Sequence, residues 1–152
     1  QDYDETYVRY AISVNGANVY WPTPIDPYMK SKDVFVCPSR RTIVWPGPTS
    51  PNSSTCPYGF NGSGVGYDGK SLAAINDPAG TICIGESYNV HKYSYLYNAS
   101  YVGATYTQAS STNVAGAPAP HSDGENVLFG DGHVKWMNTS VLGQASTKLW
   151  AP

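Results

Sequence analysis

NVLFGDGHVKWM, residues 126–137, is the stretch whose reading decides the fold. Asp131-Gly132 stands between two apolar runs, and both residue types tolerate the positive φ of a two-residue hairpin turn. Pairing outward from that turn sets Gly130 opposite His133, Phe129 opposite Val134 and Val127 opposite Trp136. Side chains alternate faces along a strand. This register predicts an apolar face of Val127, Phe129, Val134 and Trp136, with Leu128 and Lys135 on the other face.

The rest of the chain supplies strands to join that hairpin. AISVNGANVYW reads as two short strands joined at Asn15-Gly16, a hairpin signal. An alternative makes DETYVRYA the end of a longer helix that starts upstream. IDPYMKSK predicts a short helix, with Asp26 as cap and Pro27 at its first position. DVFVC and TICIG predict compact apolar strands, and SLAAI is cut short by Asp77-Pro78. Residues 38–69 read as a long irregular stretch, and 88–120 as a variable Tyr- and Ser-rich excursion. The expectation is one α+β domain over residues 1–152: a small antiparallel sheet, long loops and one or two short helices.

Composition narrows the class. Net charge is −2, so no basic field exists for nucleic acid or acidic lipid. Charged residues make up 13% of the chain, roughly half the usual share, while tyrosines number 13. Such a polar, uncharged surface suits a secreted protein. No apolar run has the length of a membrane span. Cys37 and Cys56 each precede a proline and flank a Pro- and Ser-rich loop. A bridge between them in an extracellular setting would close about 20 residues and add about 3 kcal/mol. Cys83, inside TICIG, reads as a buried, inert thiol. Sequons at Asn52, Asn61, Asn98 and Asn138 are candidate glycosylation sites.

GVGYDGKS, residues 64–71, fits the phosphate-loop spacing letter for letter. A phosphate loop needs a buried strand before it and a helix after it. CPYGFNGS before it is no apolar strand, and SLAAI after it is too short. Asp68 would also set a carboxylate beside the phosphates, and Gly85 occupies the place of a magnesium-binding Asp in TICIGE. A Gly-rich surface turn and no nucleotide are expected. The overlapping G-x-G-x-x-G fails on the same grounds.

His121, Asp123, Glu125, Asp131 and His133 form the densest ionisable cluster. His121, Asp123, Asp131 and His133 are the candidate metal ligands, with Ca2+ the candidate ion that would pin a loop. Zinc would require His121 and His133 to converge with a carboxylate. The plainer reading makes His121 a hydrogen-bonding post for the hairpin and Asp131 a turn residue, with no cofactor required. No G-x-S-x-G elbow exists and Ser87 lacks a nearby base, so no enzyme is expected. The tyrosines of YNVHKYSYLYNASY, residues 88–101, suit subunit packing or sugar stacking, with Tyr93, Tyr95 and Tyr97 at the centre.

His121, nine intervening residues and Asp131-Gly132 make a spacing that resembles the prepilin-type H-X9-DG family of bacterial pseudopilin-like proteins. Further blocks are similar in the same order: QDYDETY at the start, WPTPIDPYMKSKDVFVCPS, YGFN, INDPAGTICIGES and KLWAP near the end. The resemblance implies a pilin-like domain exported by type II secretion or type IV pilus machinery. It implies an extracellular or cell-surface structural subunit whose partners are copies of itself, in a filament, tube or surface layer. Members carry a long apolar N-terminal helix as membrane anchor, and residues 1–152 read without such a helix. Gln1–Val14 adding to a neighbour's sheet, or Trp150 of the tail entering a neighbour's pocket, would then bridge subunits. The alternative is a non-polymerising ectodomain that binds glycan or cargo.

Overall fold

The computed structural model describes residues 5–41, 44–50, 56–61, 66–86, 121–138, 141–142 and 149. They form two antiparallel sheets and one short α-helix, a mixed α+β arrangement. Strands β1 (Ala11–Val14) and β2 (Ala17–Tyr20) make the smaller sheet. Asn15 and Gly16 join them at φ 52° and 80°, the left-handed pair that an Asn-Gly hairpin turn uses. Strands β3 (Tyr58–Phe60), β4 (Ile82–Glu86), β5 (Gly124–Phe129) and β6 (Val134–Asn138) make the larger sheet, in that spatial order. Among the described residues, no helix is long and apolar enough to cross a membrane.

The decisive hairpin forms, one residue out of the expected register. Leu128 pairs with Val134, Val127 with Lys135, Asn126 with Trp136 and Glu125 with Met137. Gly132 donates its N–H to Phe129 O at 3.0 Å, and Phe129 donates to His133 O at 2.9 Å. Gly132 has φ 95°, whereas Asp131 does not take a positive φ. The turn is therefore a right-handed one closed by a left-handed glycine, a three-residue loop rather than two. Asp131 Oδ1 accepts the His133 N–H at 3.1 Å and helps hold it. A slip of one residue sends every side chain on one strand to the other face. Val127 and Phe129 stay in the core, but Val134 and Trp136 lie 64% and 47% exposed.

Both faces of the sheet carry core. On one, Trp21, Phe35, Trp45, Phe60, Tyr67 and Cys83 cluster with Cys56 and Ile75. On the other, Ile82, Val127, Phe129 and Met137 pack with Leu142. A bulge in β4 serves both. Ile82 pairs with Phe129 and Ile84 with Leu128, so Cys83 is the extra residue. Cys83 and Ile84 consequently both reach the first cluster.

Three further expectations change. The helix α1 runs Pro22–Ile25 and continues as a 3-10 turn, Asp26–Tyr28, so Pro22 opens it and Asp26 does not cap it. DVFVC is no strand: Lys32–Phe35 is a 3-10 turn capped by the Ser31 side chain, which accepts from Asp33 N. The cap favours the turn, and within DVFVC only Phe35 and Cys37 are buried, so the segment is no strand buried on both faces. Finally, Tyr58–Phe60 is a strand, paired with Glu86 to Ile84.

Candidate functional site

Of the phosphate-loop look-alike, residues 66–71 are described, and these have a packing role. Ser71 is followed by a 3-10 turn, Leu72–Ala74, not by an α-helix. Tyr67 is fully buried and its hydroxyl donates to Thr81 O at 2.8 Å. A Cβ on Gly66 would overlap the Asn61 main chain, so close approach explains that glycine. Asp68 Oδ1 accepts the Tyr10 N–H at 2.7 Å, and Lys70 O accepts the Tyr7 N–H at 2.8 Å. The stretch thus docks the first described residues onto the domain.

The candidate metal set does not assemble. Asp131 and His133 pair with each other at the turn, Nδ1 to Oδ1 2.6 Å, with both side chains exposed. His133 also stacks flat on Phe129, ring centres 4.3 Å apart. Asp131 is held below its ordinary carboxyl range, chiefly by the His133 main-chain N–H. His121 lies at the opposite end of β5, about 20 Å away at the usual rise per residue. Asp123 is exposed beside it. Neither the calcium set nor the two-histidine zinc set exists in this geometry.

His121 instead meets residues the sequence did not link to it. Its Nε2 lies 2.7 Å from Glu86 Oε1 and 3.7 Å from Cys37 Sγ, while Cys37 Sγ is 3.9 Å from Glu86 Oε1. Ser39 Oγ lies 3.5 Å from the other ring nitrogen, Nδ1. The four side chains come from three elements. Glu86 ends β4 and faces the first core cluster beside its partner Tyr58. Cys37 and Ser39 flank Pro38 at the start of a 3-10 turn. His121 sits on a tight turn in which His121 and Gly124 exchange main-chain hydrogen bonds. Ser122 and Asp123 take φ 52° and 62° there, a conformation non-glycine residues adopt at a cost. Trp136 Nε1 donates to His121 O at 2.9 Å and fixes the turn from above.

Cys37 and Glu86 are buried, at 1% and 3% exposure, while His121 is partly open. A buried carboxyl group needs a polar partner, and the His121 ring nitrogen 2.7 Å from Glu86 Oε1 supplies one. Cys37 and Glu86 both face Nε2, so this is no nucleophile–base–acid relay, which uses the two ring nitrogens in series. Tyr58 borders the site, its phenol pushed up to about 12 by burial first and then by Cys37 and Glu86. The signal in the sequence was Glu86 itself, an acidic residue at an inward position of an otherwise apolar strand.

Cys83 is the buried thiol expected, but the expected Cys37–Cys56 bridge is not formed. Cys37 and Cys56 are both free, buried thiols, with Cys37 aimed at Glu86 and His121. Burial pushes the thiols of Cys56 and Cys83 up to about 12. Asn61 is not a glycan acceptor in the folded chain. It is fully buried and donates Nδ2, the nitrogen a glycan would occupy, to Ile82 O at 2.8 Å. Asn138 ends β6, half-buried. Asn52, Asn98, Tyr93, Tyr95, Tyr97 and Trp150 lie outside the described residues. No family model matches the chain, and neither a curated protein nor a solved structure does.

Proposed function

We propose that the chain is an extracellular structural subunit, pilin-like in fold, that assembles with copies of itself into a filament, tube or surface layer. The observation that carries this reading is β6. It is the last strand of the larger sheet among the described residues, and it exposes Val134 and Trp136 on one face. The Phe129–His133 hydrogen bond sets the alternation along the strand. Lys135 and Met137 therefore point their main-chain groups at β5, and Val134 and Trp136 point theirs outward. An open edge with apolar side chains is a template for pairing with another chain. The ordered similarity of the sequence blocks to H-X9-DG proteins supports the same reading.

The test is negative-stain microscopy of the purified chain beside Val134→Pro. Proline at 134 removes an outward donor and leaves the β5 ladder intact. Ordered fibres, tubes or sheets from the parent chain and dispersed particles from a folded Val134→Pro are expected. Unchanged assembly in the variant would remove β6 from the account, and dispersed particles from the parent chain would remove self-assembly.

A second reading, a non-polymerising module for glycan or cargo, is favoured by one groove. It has a volume of about 570 Å³ and is lined by Tyr7, Ile12, Pro24, Ile25 and Tyr28, with Arg9 at its side. Aromatic and apolar walls with one cation suit a sugar face or an extended peptide.

A further inference from the structure

We propose that Cys37, Glu86 and His121 bind a single Zn2+ ion. Their donor atoms, Sγ, Oε1 and Nε2, all lie within 4.8 Å of one another. A tetrahedral zinc ion with ordinary bond lengths separates sulfur from nitrogen by about 3.6 Å and nitrogen from oxygen by about 3.3 Å. The observed separations are 3.7 Å for Sγ to Nε2, 3.9 Å for Sγ to Oε1 and 2.7 Å for Nε2 to Oε1. The sulfur is therefore already in place. The imidazole and carboxylate need part by only about 0.6 Å to exchange their mutual hydrogen bond for two bonds to metal.

Charge points the same way. Zinc binding displaces the thiol proton, and the thiolate and carboxylate that it then holds side by side bring two negative charges, which one divalent cation neutralises. The donor set of one sulfur, one nitrogen and one oxygen excludes calcium and magnesium, which take oxygen ligands. Softness and tetrahedral spacing select zinc among the common ions. Ser39 Oγ, 3.5 Å from Nδ1, is placed to hold the ring with Nε2 aimed at the ion. Three protein ligands leave one position for water or a further donor. The ion would tie three distant stretches together: the Cys37-Pro38-Ser39 loop, the end of β4 and the turn before β5. It also competes directly with a Cys37–Cys56 bridge, because both use the same sulfur.

Cobalt(II) reports such a site through a thiolate-to-metal charge-transfer band and tetrahedral visible bands. The full reduced chain, stripped of metal and titrated with Co2+, is expected to show both at one equivalent and to lose them on adding Zn2+. Cys37→Ser should abolish the charge-transfer band. His121→Gln, checked for folding by circular dichroism, should weaken binding at least tenfold, and Ser39→Ala 10- to 100-fold. Cys56→Ser and Asp131→Asn should bind as the parent does. The proposal is overturned if the folded parent chain gives no thiolate band, if the band survives Cys37→Ser, or if protein from its natural source carries Cys37 bridged to Cys56. Because the readout is metal binding in solution, it stands or falls independently of whether the chain polymerises.

Discussion

Trp136 donates its indole N–H to the main-chain carbonyl of His121 at 2.9 Å, lying over the bare Cα of Gly124. The ring is on the sheet face that the first core cluster leaves uncovered toward β6, and it is the roof of the turn that carries His121. A Cβ on Gly124 would overlap the indole. Gly124→Ala should therefore push the ring away, break its hydrogen bond and cost about 1–3 kcal/mol, measured by urea unfolding. The Trp136 indole proton should move in the NMR spectrum. A wild-type stability with an unmoved indole resonance would contradict this packing.

Two valines of one hairpin separate the observed register from the expected one. Val127 is fully buried, whereas Val134 is 64% exposed. Val127→Ala should cost about 2 kcal/mol, from two methyl groups withdrawn from the core and the space they leave. Val134→Ala should change stability by less than about 0.5 kcal/mol. Equal losses at the two positions would restore the two-residue turn, in which both face the core.

That hairpin also shows where sequence reading stops. The Asn15-Gly16 turn was legible because its cause is local: two adjacent residues that accept positive φ, between alternating strands. At residues 129–133 the same rule found the turn but not its length. Gly132 alone takes the left-handed conformation, and the side chain of Asp131 binds the next N–H but one instead of adopting it. DVFVC failed for a similar reason, since the Ser31 cap is a competing local interaction that apolar periodicity does not register. The His121 site was half legible. His121 stood out by its spacing, but Glu86 and Cys37 lie 35 and 84 residues away, and only the folded sheet brings them to it.

Alkaline solution should unfold the chain sooner than neutral solution. Burial raises the Cys56 and Cys83 thiols from 9.0 to about 12, and the Tyr58 phenol from 10.0 to about 12. A raised folded value means that the native state holds its proton where the unfolded chain has released it. The associated stability is complete below about pH 9 and declines as pH climbs from 9 to 12. Melting temperature should be level through pH 7–8.5 and fall steadily above pH 9. The same burial predicts that iodoacetamide at pH 8 leaves Cys56 and Cys83 unmodified until denaturant is added. Rapid alkylation of both in the native protein would show that the thiols are accessible.

Asn61 provides the sharpest test of the core beneath the sheet. Its main chain donates to Cys83 O at 2.7 Å and accepts from Tyr67 N at 2.7 Å, while its side chain donates to Ile82 O. It therefore joins β4 to the segment that carries the buried Tyr67. Asn61→Asp is nearly isosteric but turns the donor into an acceptor facing a carbonyl, and it places a charge where nothing is exposed. The loss should be about 3 kcal/mol or more, against about 1–3 kcal/mol for Asn61→Ala, which removes the donor without adding a charge. Expression in a glycosylating host should leave Asn61 bare in peptide maps, whatever the occupancy of the other three sequons. A glycan found on Asn61 of folded protein would require this residue to lie at the surface, and with it the whole docking of Tyr67 against Thr81.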